Sequence, residues 1–229
     1  MLIGYRRIVV LTGAGISRSA GLSTYRGPGG LWSDPKLETL SHADALQTRR
    51  IDACGMFWRF RQAIREVRPT VAHHALAAFE AQLPLGAELT IITQNIDGLH
   101  QAAGSRRVCE YHGSLARWRC ERCGATDDPI DAPTPPIHCD ELMRPGVVLF
   151  GEMIPVYAEH TAKRVLRDCD LFVAIGTSGT VAPASSFVRW AKLGGARTVL
   201  LNLEAIADAE FDVAEHGPAD ELVPRWFAV

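Results

Sequence analysis

Two pairs of metal-binding residue types lie close together between residues 108 and 124. Cys109-x-x-His112 is followed by Cys120-x-x-Cys123, a spacing that could close a four-ligand zinc site. His112 could instead be a general base, because an imidazole titrates near neutral pH and can accept a proton from a hydroxyl group. Residues three apart on an extended segment point to opposite faces, which disfavours Cys109 and His112 as ligands of one ion. The spacing alone leaves both roles of His112 open.

The composition of the 229-residue chain is ordinary for a globular protein. Hydrophobic residues make up 47%, charged residues 22%, and the formal net charge is -2, so neither nucleic acid nor an anionic membrane is an expected partner. No apolar run approaches the ~18 residues that cross a bilayer, and the first run passes into a glycine turn rather than a signal-peptide cleavage site. Six cysteines with one Cys-x-x-Cys pair are typical of a reducing compartment, so we expect a cytoplasmic protein.

Short apolar runs alternate with helical patterns along most of the chain. Nearly continuous apolar runs predict buried parallel strands at residues 8–12, 89–93, 171–175 and 198–203. Helices are predicted between them at residues 74–83, 158–169 and 183–194. This alternation predicts an α/β fold with an open, doubly wound parallel sheet.

Two segments interrupt the alternation. Residues 117–145 hold three cysteines and a run rich in Pro and Asp, without apolar periodicity. Residues 27–69 indicate a loop followed by helices. We therefore assign 27–69 and 117–145 to a small domain, and 1–26, 70–116 and 146–229 to a large domain that contains the sheet.

Small and polar residues cluster where the predicted strands end. Glycines directly after a strand let the backbone approach a phosphate, although Gly13-x-Gly15 alone could be only a tight turn. After the second strand come three polar residues, Gln94, Asn95 and Asp97. One of them could be a helix cap, but burying all three without a ligand or water would be costly. The clusters are Gly13 and Gly15; Gln94, Asn95 and Asp97; Gly176, Thr177 and Ser178; and Asn202 and Glu204. Such a row suits an extended dinucleotide.

The first glycine loop departs from the fingerprint of NAD dehydrogenases. Arg18 stands where the third glycine of G-x-G-x-x-G would fall, and the acidic residue that binds the ribose is not placed as that fingerprint requires. Ordinary hydride transfer is therefore not expected.

Six motifs occur in order over nearly the whole chain, and together they resemble one family. They are "GAGISRSAGLSTYRG", "TQNIDGLH", "YHGSLARWRC", "VVLFGEMIP", "GTSGTVAPA" and "HGPADELVP". This set resembles the sirtuins, the NAD-dependent protein-lysine deacylases, including the desuccinylase-like bacterial branch. The resemblance implies a Rossmann-type NAD-binding large domain, a small zinc-bearing domain, and a cleft between them for NAD and an acyl-lysine protein.

The resemblance also implies residue roles. His112 matches the catalytic base that deprotonates a ribose hydroxyl, Asn95 orients the ribose, and Asp97 holds the nicotinamide carboxamide. The products would be free lysine, nicotinamide and O-acyl-ADP-ribose. Val147 and Val148 would pair with the substrate peptide as an added strand. The full set at cofactor positions is Gly13, Ala14, Gly15, Ser17, Tyr25, Arg26, Trp32, Gln94, Asn95, Ile96, Asp97, Gly176, Thr177, Ser178, Asn202, Glu204 and Ala219.

The predicted zinc module departs from the family pattern at one position. Cys120, Cys123 and Cys139 match three ligands, but Pro136 stands where the remaining cysteine should be. A fourth ligand could come from His138, Asp127 or Asp128, all of which can bind zinc. A site that no longer holds metal is the alternative.

The acyl group that the protein removes is a second open point. Trp58 and Arg61 match the Tyr-x-x-Arg of the desuccinylase-like branch, where the guanidinium pairs with a succinyl or malonyl carboxylate. Thr24 and Ser41 favour the same branch, so we expect a preference for succinyl or malonyl over acetyl. Both Trp58 and Arg61 could instead be structural, which leaves plain deacetylation. An NAD-binding sensor and a mono-ADP-ribosyltransferase are further alternatives.

Overall fold

The computed structural model describes residues 2, 4–25, 29–129, 132–206 and 211–228. The strands in these ranges are β1 Arg7–Thr12, β2 Glu88–Thr93, β3 Val108–Glu110, β4 Gly113–Arg119, β5 Thr126–Asp127, β6 Ile137–His138, β7 Glu141–Leu142, β8 Arg144–Val147, β9 Leu171–Ile175, β10 Arg197–Asn202 and β11 Val213–His216. The helices are α1 Pro35–Leu40, α2 Ala45–Thr48, α3 Arg50–Arg65, α4 Val71–Ala81, α5 Leu99–Ala102, α6 Val156–Asp168, α7 Phe187–Leu193 and α8 Ala219–Trp226. Turns of 3-10 helix occur at Ala14–Ala20, Leu31–Ser33 and Ala184–Ser186.

Six strands form one parallel sheet in the order β11-β10-β9-β1-β2-β3. Side chains along β1 alternate between two cores, with Ile8 and Val10 on the side of α4 and α8, and Val9 and Leu11 on the side of α6 and α7. Helices thus cover both faces, which explains why the strands are continuously apolar. The predicted α/β, doubly wound sheet is confirmed, and its strand order is that of the Rossmann fold.

The boundaries of the sheet strands and of α4 refine the prediction. The four predicted strands are present with ends within one residue, whereas the edge strands β3 and β11 were not predicted. Helix α4 begins at Val71, three residues earlier than predicted, because the hydroxyl of Thr70 accepts from the His73 amide while the His73 ring accepts from the Thr70 amide. This reciprocal cap satisfies two amides at the helix start.

A second assembly packs beside the sheet. It contains α3, the antiparallel strands β5-β4-β8 and the hairpin β6-β7, and it has a core of its own around Trp58, Trp118 and Leu149. Only two residues separate the end of β3 from the start of β4, and they join the large sheet to this assembly. The exact division into two domains stays a prediction.

Across the described ranges, none of the helices combines the length and the apolar character that spanning a membrane requires.

Candidate functional site

A cavity of about 830 Å³ lies along the carboxyl edge of the six-stranded sheet. The loops after β1 and β9 both form its wall, and the sheet changes direction between these two strands, where open α/β sheets bind their ligands. The fold thus gathers residues from the ends of all six sheet strands around one space. The predicted residues that line it are Gly13, Ala14, Gly15, Tyr25, Gln94, Asn95, Ile96, His112, Val147, Val148, Gly176, Thr177, Ser178, Asn202, Glu204 and Ala219.

The glycine loops after β1 and β9 touch each other. A Cβ atom on Gly15 would lie 2.7 Å from the Cα of Gly176, and one on Gly176 would lie 2.5 Å from the Ile16 amide nitrogen. Gly176 also has a φ of 60°, which a residue with a side chain rarely adopts. Glycine is therefore required at both positions, and it leaves bare backbone at the cavity wall.

Asn95 presents an unpaired acceptor at this wall. Its side-chain nitrogen donates to the Gly13 carbonyl at 3.1 Å and to the Ser17 hydroxyl at 3.3 Å. Its oxygen Oδ1 is buried and has no hydrogen-bond partner among the described residues. A buried acceptor without a donor is costly, so this oxygen is placed to accept from a ligand hydroxyl.

Four predicted cofactor residues are not part of the described wall. Arg26 and the side chain of Trp32 lie outside the described residues. Ser17 and Asp97 lie behind Asn95: the Ser17 hydroxyl donates to Oδ2 of Asp97 at 2.8 Å, and the Leu99 amide donates to Oδ1 at 3.0 Å. Burial raises the pKa of Asp97, and these two hydrogen bonds partly oppose the shift. In this structure the Asp97 carboxylate thus holds Ser17 and caps α5.

His112 lies on the chain that joins β3 to β4. Its Nδ1 is 3.1 Å from the carbonyl oxygen of Gln94, and because a carbonyl only accepts, Nδ1 carries the proton and Nε2 is the basic nitrogen. Burial lowers the pKa of His112, partly opposed by this hydrogen bond. The ring is therefore neutral at pH 7 and able to accept a proton at Nε2.

The backbone around His112 is fixed from both sides. The Val148 amide donates to the His112 carbonyl at 2.8 Å. Gly113 has a φ of 80°, and a Cβ there would lie 2.2 Å from the Gly146 carbonyl oxygen. Only glycine lets β4 and β8 approach this closely. Cys109, in contrast, is buried in the core beneath α6, with its thiol donating to the Ala158 carbonyl, so it is not a partner of His112.

One wall of the cavity is held by a buried ion pair that the sequence did not reveal. Arg144 is 1% exposed, and its guanidinium binds both carboxylate oxygens of Glu152. Glu152 lines the cavity and also accepts from the Leu149 amide at 2.8 Å. The pair fixes the segment that follows Val147 and Val148.

Further cavity residues lie close in sequence to predicted ones. Ser19 and Asp220 line the cavity and are hydrogen-bonded to each other, and the Ala72 amide donates to Asp220 at 3.0 Å. Asp220 directly follows Ala219 in the motif "HGPADELVP", so that motif could have indicated Asp220 as a cavity residue. Phe57 on α3 also lines the cavity, although the sequence had pointed to its neighbour Trp58.

Trp58 and Arg61 are not among the described residues that line the cavity. The Trp58 indole donates to the Pro133 carbonyl at 3.3 Å. The Arg61 guanidinium donates to the Leu115 carbonyl at 2.9 Å and to a carboxylate oxygen of Asp128 at 2.6 Å. Both side chains therefore join α3 to the cysteine-bearing segment, and this placement argues against the predicted acidic-acyl pocket.

Four residues of the small assembly form a cluster that could hold a metal ion. The ligand atoms of Cys120, Cys123, His138 and Cys139 all lie within 4.8 Å of one another. Cys139 and Asp140 have φ of 52° and 64° at the tip of the β6-β7 hairpin, so His138 and Cys139 can face one site although they are adjacent. Hydrogen bonds from the backbone amides of Cys123 and Arg122 help to lower the pKa of Cys120 to about 6.

Three sulfurs and one imidazole form a donor set typical of structural zinc. His138 is the fourth candidate ligand, whereas the alternative Asp128 is engaged by Arg61. We expect the variant His138→Ala to lower zinc affinity by more than about tenfold. Replacing even a residue that only supports a metal ligand typically lowers metal affinity or activity by about 10–100-fold. Asp127→Asn is the matched control and should leave affinity unchanged. Competition with a chromogenic chelator measures both, and equal affinities in the two variants would contradict the assignment.

Comparisons with known proteins agree with this architecture. Residues 13–183 match the model of the Sir2 family. The chain is 43% identical to "NAD-dependent protein deacylase 2" of Pyrobaculum aerophilum, over 98% of this chain and 91% of the relative. It is 42% identical to "NAD-dependent protein deacylase" of Caulobacter vibrioides, over 97% and 96%. A solved structure described as "Sir2-p53 peptide-NAD+" superposes with a TM-score of 0.83 at 29% identity, covering 98% of this chain and 93% of that one. The chain belongs to the Sir2 family.

Proposed function

We propose that this chain is an NAD-dependent protein-lysine deacylase that acts on uncharged acyl groups, acetyl among them. The observation that carries the proposal is that one cavity is lined both by Asn95, whose buried acceptor lacks a hydrogen-bond donor, and by His112, a neutral base. Oδ1 of Asn95 has no partner among the described residues, and Nε2 of His112 is free to accept a proton because Nδ1 is held by Gln94.

The cavity residues fit NAD. The bare backbone of Gly15 and Gly176 allows a phosphate to approach, and the orphaned oxygen of Asn95 can accept from a ribose hydroxyl. Relatives that share about 40% of the sequence carry NAD in their names. When bound, NAD would supply a ribose carbon open to attack by the acyl oxygen, and nicotinamide as the leaving group.

The side chains of this chain then have separate tasks. Asn95 orients the ribose through Oδ1, and Ser17 and Asp97 fix the Asn95 amide through the hydrogen bonds described above. His112 accepts the proton of a ribose hydroxyl at Nε2, which the Gln94 carbonyl sets as the basic nitrogen. The predicted contact of Asp97 with the nicotinamide carboxamide stays a prediction.

The substrate protein would bind as an extended strand beside β8. Within the described residues β8 is an edge strand, paired with β4 on one side, and its last residue Val147 and the next residue Val148 line the cavity. An exposed edge accepts a peptide through backbone hydrogen bonds that read little of its sequence. Acyl-lysine peptides of varied sequence are therefore the proposed partners.

The wall next to this edge favours an uncharged acyl group. Its lining residues Ser41, Phe57 and Leu149 carry no charge, and the nearby Arg144, which could otherwise attract an acidic acyl chain, is already paired with Glu152. The guanidinium that was predicted to pair with a succinyl group, Arg61, is instead bound to Asp128. Acetyl is thus a better substrate than succinyl in this proposal.

The variant Arg61→Met tests this preference. We expect the ratio of acetyl to succinyl turnover to stay that of the wild type, because Arg61 does not line the cavity. Stability should fall by about 1.5–3 kcal/mol, since the hydrogen bonds of a charged group are lost. Arg59→Met, an exposed arginine on the same helix, is the control. Selective loss of succinyl turnover in Arg61→Met would contradict the proposal.

A further inference from the structure

Two buried histidines lie beneath the cavity and take no part in the proposed chemistry. His73 is 0% exposed and His100 is 1% exposed, and their ring centroids are 4.7 Å apart. His73 belongs to the first turn of α4 and His100 to α5. Their hydrogen bonds determine where each ring carries its proton.

The contacts of His73 place its proton on Nε2. The Thr70 amide donates to Nδ1 at 3.2 Å, and a nitrogen that accepts cannot also carry a proton. The Thr70 hydroxyl, which is 2.9 Å from the same nitrogen, can donate to the Ile16 carbonyl at 3.2 Å. The Nε2–H group that remains has no partner among the described residues.

The contacts of His100 leave the opposite group unpaired. The Thr12 hydroxyl donates to the Thr93 oxygen at 2.9 Å, so it accepts from Nε2–H of His100, which is also 2.9 Å away. Nδ1 of His100 is then a bare acceptor, and within the described part of the chain it too has no partner. One ring thus has a spare donor, and the ring in contact with it has a spare acceptor.

Both rings are neutral at pH 7, which preserves this match. Burial lowers the pKa of His73 to about 4, with Asp220 on α8 raising it and His74 on α4 lowering it. Burial also lowers the pKa of His100, and the neighbouring His73 adds to the shift. A neutral imidazole has one donor and one acceptor, whereas a protonated ring would set two donors against each other.

We propose that His73 and His100 form a joined pair of positioning residues, with Nε2–H of His73 donating to Nδ1 of His100 across one buried water. The pair completes a hydrogen-bonded chain through the structure. One end reaches the Ile16 carbonyl through Thr70, beside the glycine loop. The other end reaches Thr93 through Thr12, and the Thr93 oxygen accepts from the Asn95 amide at 3.1 Å.

This chain fixes the two segments that form the cofactor side of the cavity. Ile16 follows Gly15, and Asn95 carries the acceptor proposed for the ribose. Loosening either segment should weaken cofactor binding more than peptide binding, because β8 and its neighbours are not part of the chain. This last consequence rests on the proposed function, whereas the pairing itself does not.

Nitrogen-15 NMR of histidine in the full-length protein tests the pairing directly. We expect both rings to carry their proton on Nε2, to stay neutral between about pH 5 and 8, and to show a ring N–H of His73 protected from exchange. Spectra of the variants His73→Asn and His100→Gln assign the signals. A proton on Nδ1 of either ring, or titration near the ordinary pKa of histidine, would overturn the inference.

A kinetic comparison tests the positioning role. His73→Asn keeps an acceptor for the Thr70 amide but lacks the Nε2–H donor, so we expect KM for NAD to rise about tenfold while KM for an acetyl-lysine peptide stays within twofold of wild type. His74→Asn, the exposed neighbour on α4, is the control. An unchanged KM for NAD, or an equal rise in both KM values, would contradict the role. If the wild type does not bind NAD, the proposed function fails while the NMR test still stands.

Discussion

The variant His112→Asn is expected to lower kcat on an acetyl-lysine peptide by about 10²–10⁴-fold, the usual contribution of a positioned general base. Asparagine can still donate to the Gln94 carbonyl as Nδ1 does now, so the backbone around it should be preserved. What it lacks is the basic nitrogen Nε2. Steady-state rates with saturating NAD and peptide measure the effect.

The control for this variant is His160→Asn, an exposed histidine on α6. It should keep the wild-type rate, and both variants should bind NAD and melt as the wild type does. Activity of His112→Asn within tenfold of wild type would remove His112 from the proposed role.

The pH profile of the wild type gives a second readout of the same group. Burial lowers the pKa of His112, and a base acts only when it is unprotonated. The acid limb of kcat/KM should therefore lie below the ordinary histidine pKa of about 6.5, and it should be absent from the residual activity of His112→Asn. An acid limb above that value would contradict the derived environment of the ring.

The second large effect concerns the buried ion pair between Arg144 and Glu152. The variant Glu152→Ala leaves a guanidinium that is 1% exposed without its two-point partner, although Glu121 remains at 3.5 Å. Removing one partner of a buried pair typically costs about 3–5 kcal/mol of unfolding free energy. Urea unfolding monitored by tryptophan fluorescence measures the loss.

The double variant Arg144→Met with Glu152→Ala separates the pair from its surroundings. It should be less destabilised than Glu152→Ala alone, because no uncompensated charge remains buried. Arg167→Met, which breaks an exposed pair with Asp168, should hardly change stability. A double variant as unstable as the sum of the two single variants would show that the ion pair is not the cause.

The sign of the pH dependence follows from the carboxylate. Desolvation raises the pKa of Glu152, but hydrogen bonds from Arg144 and the Leu149 amide outweigh it and hold the pKa below the ordinary value. A depressed carboxylate pKa stabilises the fold above the unfolded-state value and loses that stabilisation as the pH falls through the folded value. Stability of the wild type should therefore fall below about pH 4.5, and more steeply than that of the double variant.

The large sheet was predictable because its strands are buried on both faces. Runs such as residues 8–12 are apolar at every position, which distinguishes them from surface segments. The same burial makes the polar residues at the strand ends conspicuous, so Asn95 and Gly176 could be assigned to one edge without a structure. The edge strands β3 and β11 lack this signal, because Val213–His216 alternates partly exposed and exposed residues.

The small assembly was harder to predict because neighbouring residues on its helix are buried on different sides. Helix α3 buries both Phe57 and Trp58, so spacing along the chain could not decide which of them faces the cavity. The metal cluster was only partly predictable, since two adjacent ligands depend on the tight hairpin at Cys139 and Asp140. The family pattern of two Cys-x-x-Cys pairs expects a cysteine where this chain has Pro136, so the pattern could not decide whether His138 is a ligand.

The most direct test of the proposed deacylase activity is nicotinamide release by the wild type with NAD, measured with and without an acetyl-lysine peptide. Release is expected to require the peptide, with one nicotinamide formed for each lysine deacetylated. Release without peptide together with ADP-ribose attached to protein would indicate transfer rather than deacylation. NAD binding without any release would indicate a sensor, and either result would contradict the proposed deacylase activity.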